Sequence, residues 1–334
     1  MKLNEINNNS FYENYIQGQN TLLALALLIA LIAIGAMLVP GFGSFYSIRS
    51  MLLLAAFLGL ASLGQTLCAL LGGIDLSIPY VIGSANIVLA SLVNMGLPPI
   101  LAIIIILVLG SLVGLINALL SFRLQGQSIV VTLAVGFVVV GISQIFTSSG
   151  VYGGNVLTQV PQWIRNISSF GGTTFGMPLP PIIFIWLIIS IITILIISRT
   201  LFGRSFYALG GSRKASERLL ISEFKIWSLA YVISGFMSAL TGIFLLGFSG
   251  GGFVGVGEPY LFTTVAAVVI GGTSLLGGLG GYGSTVVGAL VLTVMTSLLV
   301  GLGFSYAMQQ SVFGLLIIPM VALYAREPHI RNQI

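Results

Sequence analysis

Arg199-Thr-Leu-Phe-Gly-Arg204-Ser-Phe-Tyr-Ala-Leu-Gly210-Gly-Ser-Arg-Lys-Ala-Ser-Glu-Arg218-Leu-Leu-Ile-Ser-Glu-Phe-Lys225 is the stretch on which the fold turns. It holds six of the chain's twelve lysines and arginines and lies between two long apolar runs. In 334 residues of which only 6% are charged, such a polar island reads as a cytosolic loop built to touch another molecule.

The surrounding composition is that of a membrane protein. Apolar residues make up 57% of the chain and mean hydropathy is +1.12, whereas a soluble domain carries roughly a quarter charged residues. The basic isoelectric point near 9.5 does not indicate nucleic acid, because the lysines and arginines sit at the ends of apolar runs instead of forming one stripe. Cys68 is the single cysteine, so neither an intrachain disulfide nor a cysteine-based metal site is available.

Apolar runs of about 20 residues, the length that crosses roughly 30 Å of hydrocarbon, recur at 20–40, 48–71, 77–95, 98–121, 127–147, 181–199, 226–249, 283–303 and 306–325. A shorter run at 261–273 crosses or re-enters. The run that starts at Thr21 is too long for a secretory signal and reads as a retained anchor. Ten crossings put both termini on one side. With that side cytosolic, Lys2, Arg123, the six basic residues of the island, Arg326 and Arg331 lie inside, and only Arg49 and Arg165 lie outside. Ten against two is the bias expected of bacterial insertion. The fold class is therefore an all-α polytopic membrane protein of about ten transmembrane helices. Its parts are a cytosolic tail over 1–19, a single transmembrane domain over 20–325 and a cytosolic tail over 326–334. An irregular external loop at 148–180 has Trp163 and Phe170 as interfacial anchors.

The spans hold almost no ionisable groups: Asp75 is the only acid between Glu13 and Glu217. Proton- and ion-coupled carriers usually bury such groups, so the driving force is expected to come from another subunit. No nucleotide-binding loop ending in Gly-Lys-Ser/Thr is present, and the glycine-dense Gly271–Gly278 lacks the lysine. Glycines there, and at Gly110 and Gly114, read as sites of close helix packing. Gly247-Phe248-Ser249-Gly250 matches the pattern of rhomboid-type intramembrane proteases, but the only histidine, His329, falls beyond the last span on the opposite side, so no base reaches the serine. No catalytic residue, metal site or cofactor is expected.

Within the island, Ser212 is placed to cap a short helix from Arg213 to Ile221. Physics alone allows two uses: a basic helix lying at lipid headgroups, or a knob that enters a groove of a motor subunit.

Three segments in order carry a resemblance: Gly72-Gly73-Ile74-Asp75-Leu76-Ser77; Ala208-Leu209-Gly210-Gly211 with Ala215 and Glu217-Arg218-Leu219; and Ala266-Ala267-Val268-Val269-Ile270-Gly271-Gly272-Thr273-Ser274-Leu275. Over residues 48–325 the chain resembles the ribose-type sugar permeases of bacterial ABC importers. The resemblance implies an inner-membrane subunit that pairs with a second permease copy, two cytosolic ATPases and an extracytoplasmic sugar-binding protein, with ATP bound by those partners. It also implies that Gly210, Gly211, Ser212, Arg213, Lys214, Ala215, Glu217, Arg218 and Leu219 form the ATPase-coupling segment. Two departures stand out: Arg213-Lys214 replaces a Glu-Ala pair, and Leu261-Phe262-Thr263 lacks the acids that often flank a leucine there.

A sugar path needs hydrogen-bonding and aromatic side chains without fixed charge. Phe57, Gln65, Asn86, Asn117, Phe137, Gln144 and Thr264 are the candidates, although a membrane-buried amide more often ties helices together. Asp75 is expected to hold the glycine-rich turn or cap the third span. The alternative cargo is a branched-chain amino acid or another small polar solute; a secondary carrier or channel is the alternative class.

Overall fold

The computed structural model describes residues 3–124, 127–148 and 160–324. Thirteen helices occupy them: α1 (Leu3–Leu38), α2 (Phe45–Leu70), α3 (Ile78–Asn94), α4 (Pro99–Arg123), α5 (Ser128–Ser148), α6 (Gln162–Ser168), α7 (Pro181–Arg199), α8 (Leu201–Gly211), α9 (Arg213–Arg218), α10 (Glu223–Ser249), α11 (Tyr260–Ile270), α12 (Tyr282–Gly301) and α13 (Tyr306–Tyr324). Every anticipated apolar run is helical. Seven of the helices are long and apolar enough to cross a bilayer, while α3 and α11 are shorter apolar helices.

Burial sorts these helices into layers. In α2, 89% of the apolar window is buried, against 22% in α4 and 17% in α5, so α2 stands at the centre and the others turn an apolar face outward to lipid. The partner of α2 is α10, which also packs on α3 and α4. Lipid tails are as apolar as leucine, so burial alone does not drive such packing; close backbone approach does. Gly110 and Gly114 of α4 serve that purpose, since a Cβ on Gly114 would run into the carbonyl of Tyr231 on α10.

Helix boundaries follow local chemistry. Pro79 lies in the first turn of α3, where its missing N–H costs nothing, so it begins the helix instead of bending it. The island helix ends at Arg218, three residues before the expected Ile221. The Ile221 amide donates to the Ser216 carbonyl and the Leu220 amide to Glu217, a closed C-terminal motif with Leu220 in left-handed conformation at φ 57°.

The loop at 148–180 is less irregular than anticipated. It contains α6, whose Ile164 and Ser168 are buried against Gly247 near the end of α10. Trp163 and Phe170 remain half exposed, and Phe170 stacks edge-on against Phe248, which in turn meets Phe57. Residues 149–159 of that loop, Lys2 and the tail with Arg326, His329 and Arg331 lie outside the described residues. The polar segment before Thr21 continues the first helix from Leu3 onward.

Candidate functional site

The three sequence motifs, more than 130 residues apart at their extremes, meet at one end of the bundle. The Gly278 amide donates to the carbonyl of Leu70 at the end of α2 (2.9 Å). Gly210 is wedged between them: a Cβ there would strike the Leu70 carbonyl and the Gly278 backbone. Gly72 and Gly277, at φ 74° and 95°, complete the junction in conformations that side chains rarely adopt. Tyr207 of α8 clips the rim by donating to the Gly280 carbonyl (2.8 Å), and burial raises its phenol pKa, so it stays a neutral donor.

From this junction the predicted coupling segment projects. The Ser212 hydroxyl accepts from the Ala215 amide (3.3 Å), the cap anticipated from sequence. Arg213 lies over the Trp227 ring and pairs with Glu223 (3.3 Å), which ties α9 to the first turns of α10. Both ionic groups are partly exposed, so the aromatic stacking and the chain connection, more than the ion pair, fix this geometry. Lys214, Ala215, Glu217 and Arg218 are exposed, and Leu219 and Leu220 are 67% and 93% exposed.

Trp227, Tyr231 and Ser234 form one stripe of α10, four and three residues apart. All three face the Gly72–Ser77 turn or its neighbours. Trp227 donates to the Ser121 hydroxyl (2.9 Å), and Ser234 donates to one oxygen of Asp75 (2.6 Å). The other Asp75 oxygen accepts from the amide and hydroxyl of Ser77 (2.9 and 2.6 Å). Asp75 thus holds its own turn, as the spacing suggests, and also fastens that turn to α10. Ser234 carried no signal in the sequence, since a lone serine in an apolar helix is unremarked until its distant partner is known.

The seven path candidates separate into two groups. Phe57, Gln65, Asn86, Asn117 and Thr264 are fully buried between helices. Gln65 accepts from the Asp75 amide, Asn86 bridges the Gly242 carbonyl and the Phe253 amide, Asn117 donates to Ser77, and Thr264 bonds back to Tyr260. Phe137 and Gln144 instead line a cavity of about 290 Å³ together with Pro79, Tyr80, Val140 and Glu258. Sequence reasoning passed over Tyr80 and Glu258. The available signal was that Glu258 lies one helical turn before Leu261, the place where the resemblance expects an acid. Ser249, the serine of the protease-like pattern, closes the turn after α10, its hydroxyl 2.8 Å from the carbonyls of Leu245 and Gly251.

A multi-pass bundle with a polar segment carried on one end and a cavity lined by aromatic, apolar and a few polar side chains is consistent with a membrane transport protein. The chain belongs to the family described as "Branched-chain amino acid transport system / permease component", which it matches over residues 47–321. It is 33% identical to the ribose import permease protein RbsC of Haemophilus influenzae, over 81% of this chain and 83% of that one. It is 30% identical to the probable ABC transporter permease protein YphD of Escherichia coli (93% and 90% covered) and 29% identical to the fructose import permease protein FruG of Bifidobacterium longum (91% and 89%). No solved structure matches it.

Proposed function

We propose that the chain is the membrane-spanning permease subunit of an ABC importer that carries a monosaccharide, works in the cytoplasmic membrane beside a second permease copy, receives cargo from an extracytoplasmic binding protein and is driven by two ATPases docked on residues 210–219. The observation that carries this reading is the Leu219–Leu220 tip. Two leucines stand in solvent just after a helix whose other exposed side chains are polar apart from Ala215, a helix tied through Trp227 to the core. A groove on a partner would gain roughly 1.5–3 kcal/mol for each leucine it covers.

Charge supports the orientation. Among the described residues Arg123, Arg199, Arg204, Arg213, Lys214, Arg218 and Lys225 gather at the end that carries the segment, and Arg49 and Arg165 at the other. The first end is cytosolic on that bias.

The variant Leu219→Glu/Leu220→Glu tests the reading in proteoliposomes with the ATPases and binding protein. The permease should insert normally, capture roughly a hundredfold less ATPase and lose ATP-driven uptake, because two buried apolar contacts are replaced by unpaired charges. Uptake that persists without ATPase would show a carrier instead. A branched-chain amino acid is the second cargo reading, favoured by the description of the family itself. Competition between labelled ribose or fructose and leucine decides between them.

A further inference from the structure

α3 starts inside the bundle, with Ile78 and Pro79 buried, whereas α11 starts at its edge, where Glu258 and Pro259 are exposed. Ile82, in the second turn of α3, lies against Gly242 in the interior of α10, and Gly257, just ahead of α11, is pressed against the Pro79 carbonyl. The approximately 290 Å³ cavity opens between these two beginnings and the middle of α5. Interrupted helices at this depth are where transporters place polar groups for cargo.

The lining has a definite chemistry. The Tyr80 and Phe137 rings lie 5.1 Å apart at 49°, presenting a tilted aromatic wall. Gln144 and Glu258 supply an amide and a carboxylate at the same cavity. Glu258 and Gln144 are exposed, and among the described residues neither side chain has a hydrogen-bond or ionic partner, whereas Asp75, Gln65 and Asn117 each make at least one hydrogen bond. An exposed, unpaired carboxylate is free to accept from a solute's donors. Sugar hydroxyls are such donors, the amide both donates and accepts, and the C–H face of a sugar ring packs on an aromatic wall.

We infer that this cavity is a transit subsite for one neutral sugar, in which Tyr80 and Phe137 receive the ring face while Glu258, with Gln144, reads its hydroxyls and excludes anionic solutes. The inference rests on the importer reading and adds the residues that touch cargo.

The test reconstitutes the full importer and measures labelled ribose and fructose delivered per ATP hydrolysed. Glu258→Gln and Phe137→Ala should each lower that ratio about tenfold, the size of one charge-assisted hydrogen bond or a comparable loss of ring contact. Leu112→Ala, on the lipid-facing side of α4, should leave it unchanged. Capture of ATPase by each variant shows that the complex is assembled. If wild type imports sugar and both cavity variants keep its ratio, the subsite is overturned while the importer stands. If wild type imports leucine, or the amine putrescine, in preference to either sugar, the cargo reading fails and the sugar subsite falls with it.

Discussion

At the level of single residues, Asp75 is the one carboxylate among the described residues that is sealed in the bundle, and both of its oxygens are used. Three donors converge on it, from Ser77 twice and Ser234 once. Removing the acceptor strands buried donors, which costs more than the bonds themselves were worth. Asp75→Ala should therefore destabilise the protein by about 2–4 kcal/mol, seen as a lower apparent melting temperature in detergent. Asp75→Asn, which keeps one oxygen for Ser77 and can donate to the Ser234 hydroxyl, should lose much less. Equal losses in the two variants would show that volume, not hydrogen bonding, is what the site requires. The local half of this arrangement is legible in the sequence, since an acid two residues before a serine at a helix start is a turn signal. The other half is not: Ser234 lies 159 residues away, and no spacing rule reaches that far.

At the level of elements, apolar length was an adequate guide to where helices form and a poor one to where the polar segment stops. The Ser212 cap marks where the island helix starts, and no stop signal precedes Ile221, so the expected helix extends to that residue. Tertiary placement of α10 won instead, forcing Leu220 into the left-handed region to turn the chain back. A branched side chain there carries roughly 1–2 kcal/mol of backbone strain. Leu220→Gly should relieve it, and slower amide exchange at the Ser216 to Ile221 turn would report the gain. The same variant should lower ATP-driven uptake several-fold, because the exposed apolar tip has gone. A variant that exchanges more slowly and still transports at full rate would locate the docking contact elsewhere on the segment. The shortness of α3 and α11 has a similar origin. The first turn of α3 abuts the short turn just ahead of α11, a contact between Pro79 and Gly257 that neither stretch announces alone.

For the whole molecule, the glycine junction, the coupling segment and most of the fixed positive charge share one end, and α6 and Arg165 share the other. The proposed importer would use such polarity, because a motor bound at one end has to bias openings at both. The lengths of the apolar runs and the crowding of lysine and arginine around residues 199–225 make this asymmetry legible in the sequence, as the cost of moving lysine and arginine across lipid is written in composition. Convergence of the three motifs was not foreseeable in detail, since backbone carbonyls and amides make the junction and every residue type carries those. Orientation itself can be tested without background labelling, because Cys68 is the only thiol and is fully buried. Lys214→Cys should react with a membrane-impermeant maleimide only after cells are permeabilised. Phe175→Cys, at a position 97% exposed in the loop after α6, should react in intact cells. The reverse pattern would place the coupling segment outside, beyond the reach of any cytosolic ATPase, and the importer reading would fail at its base.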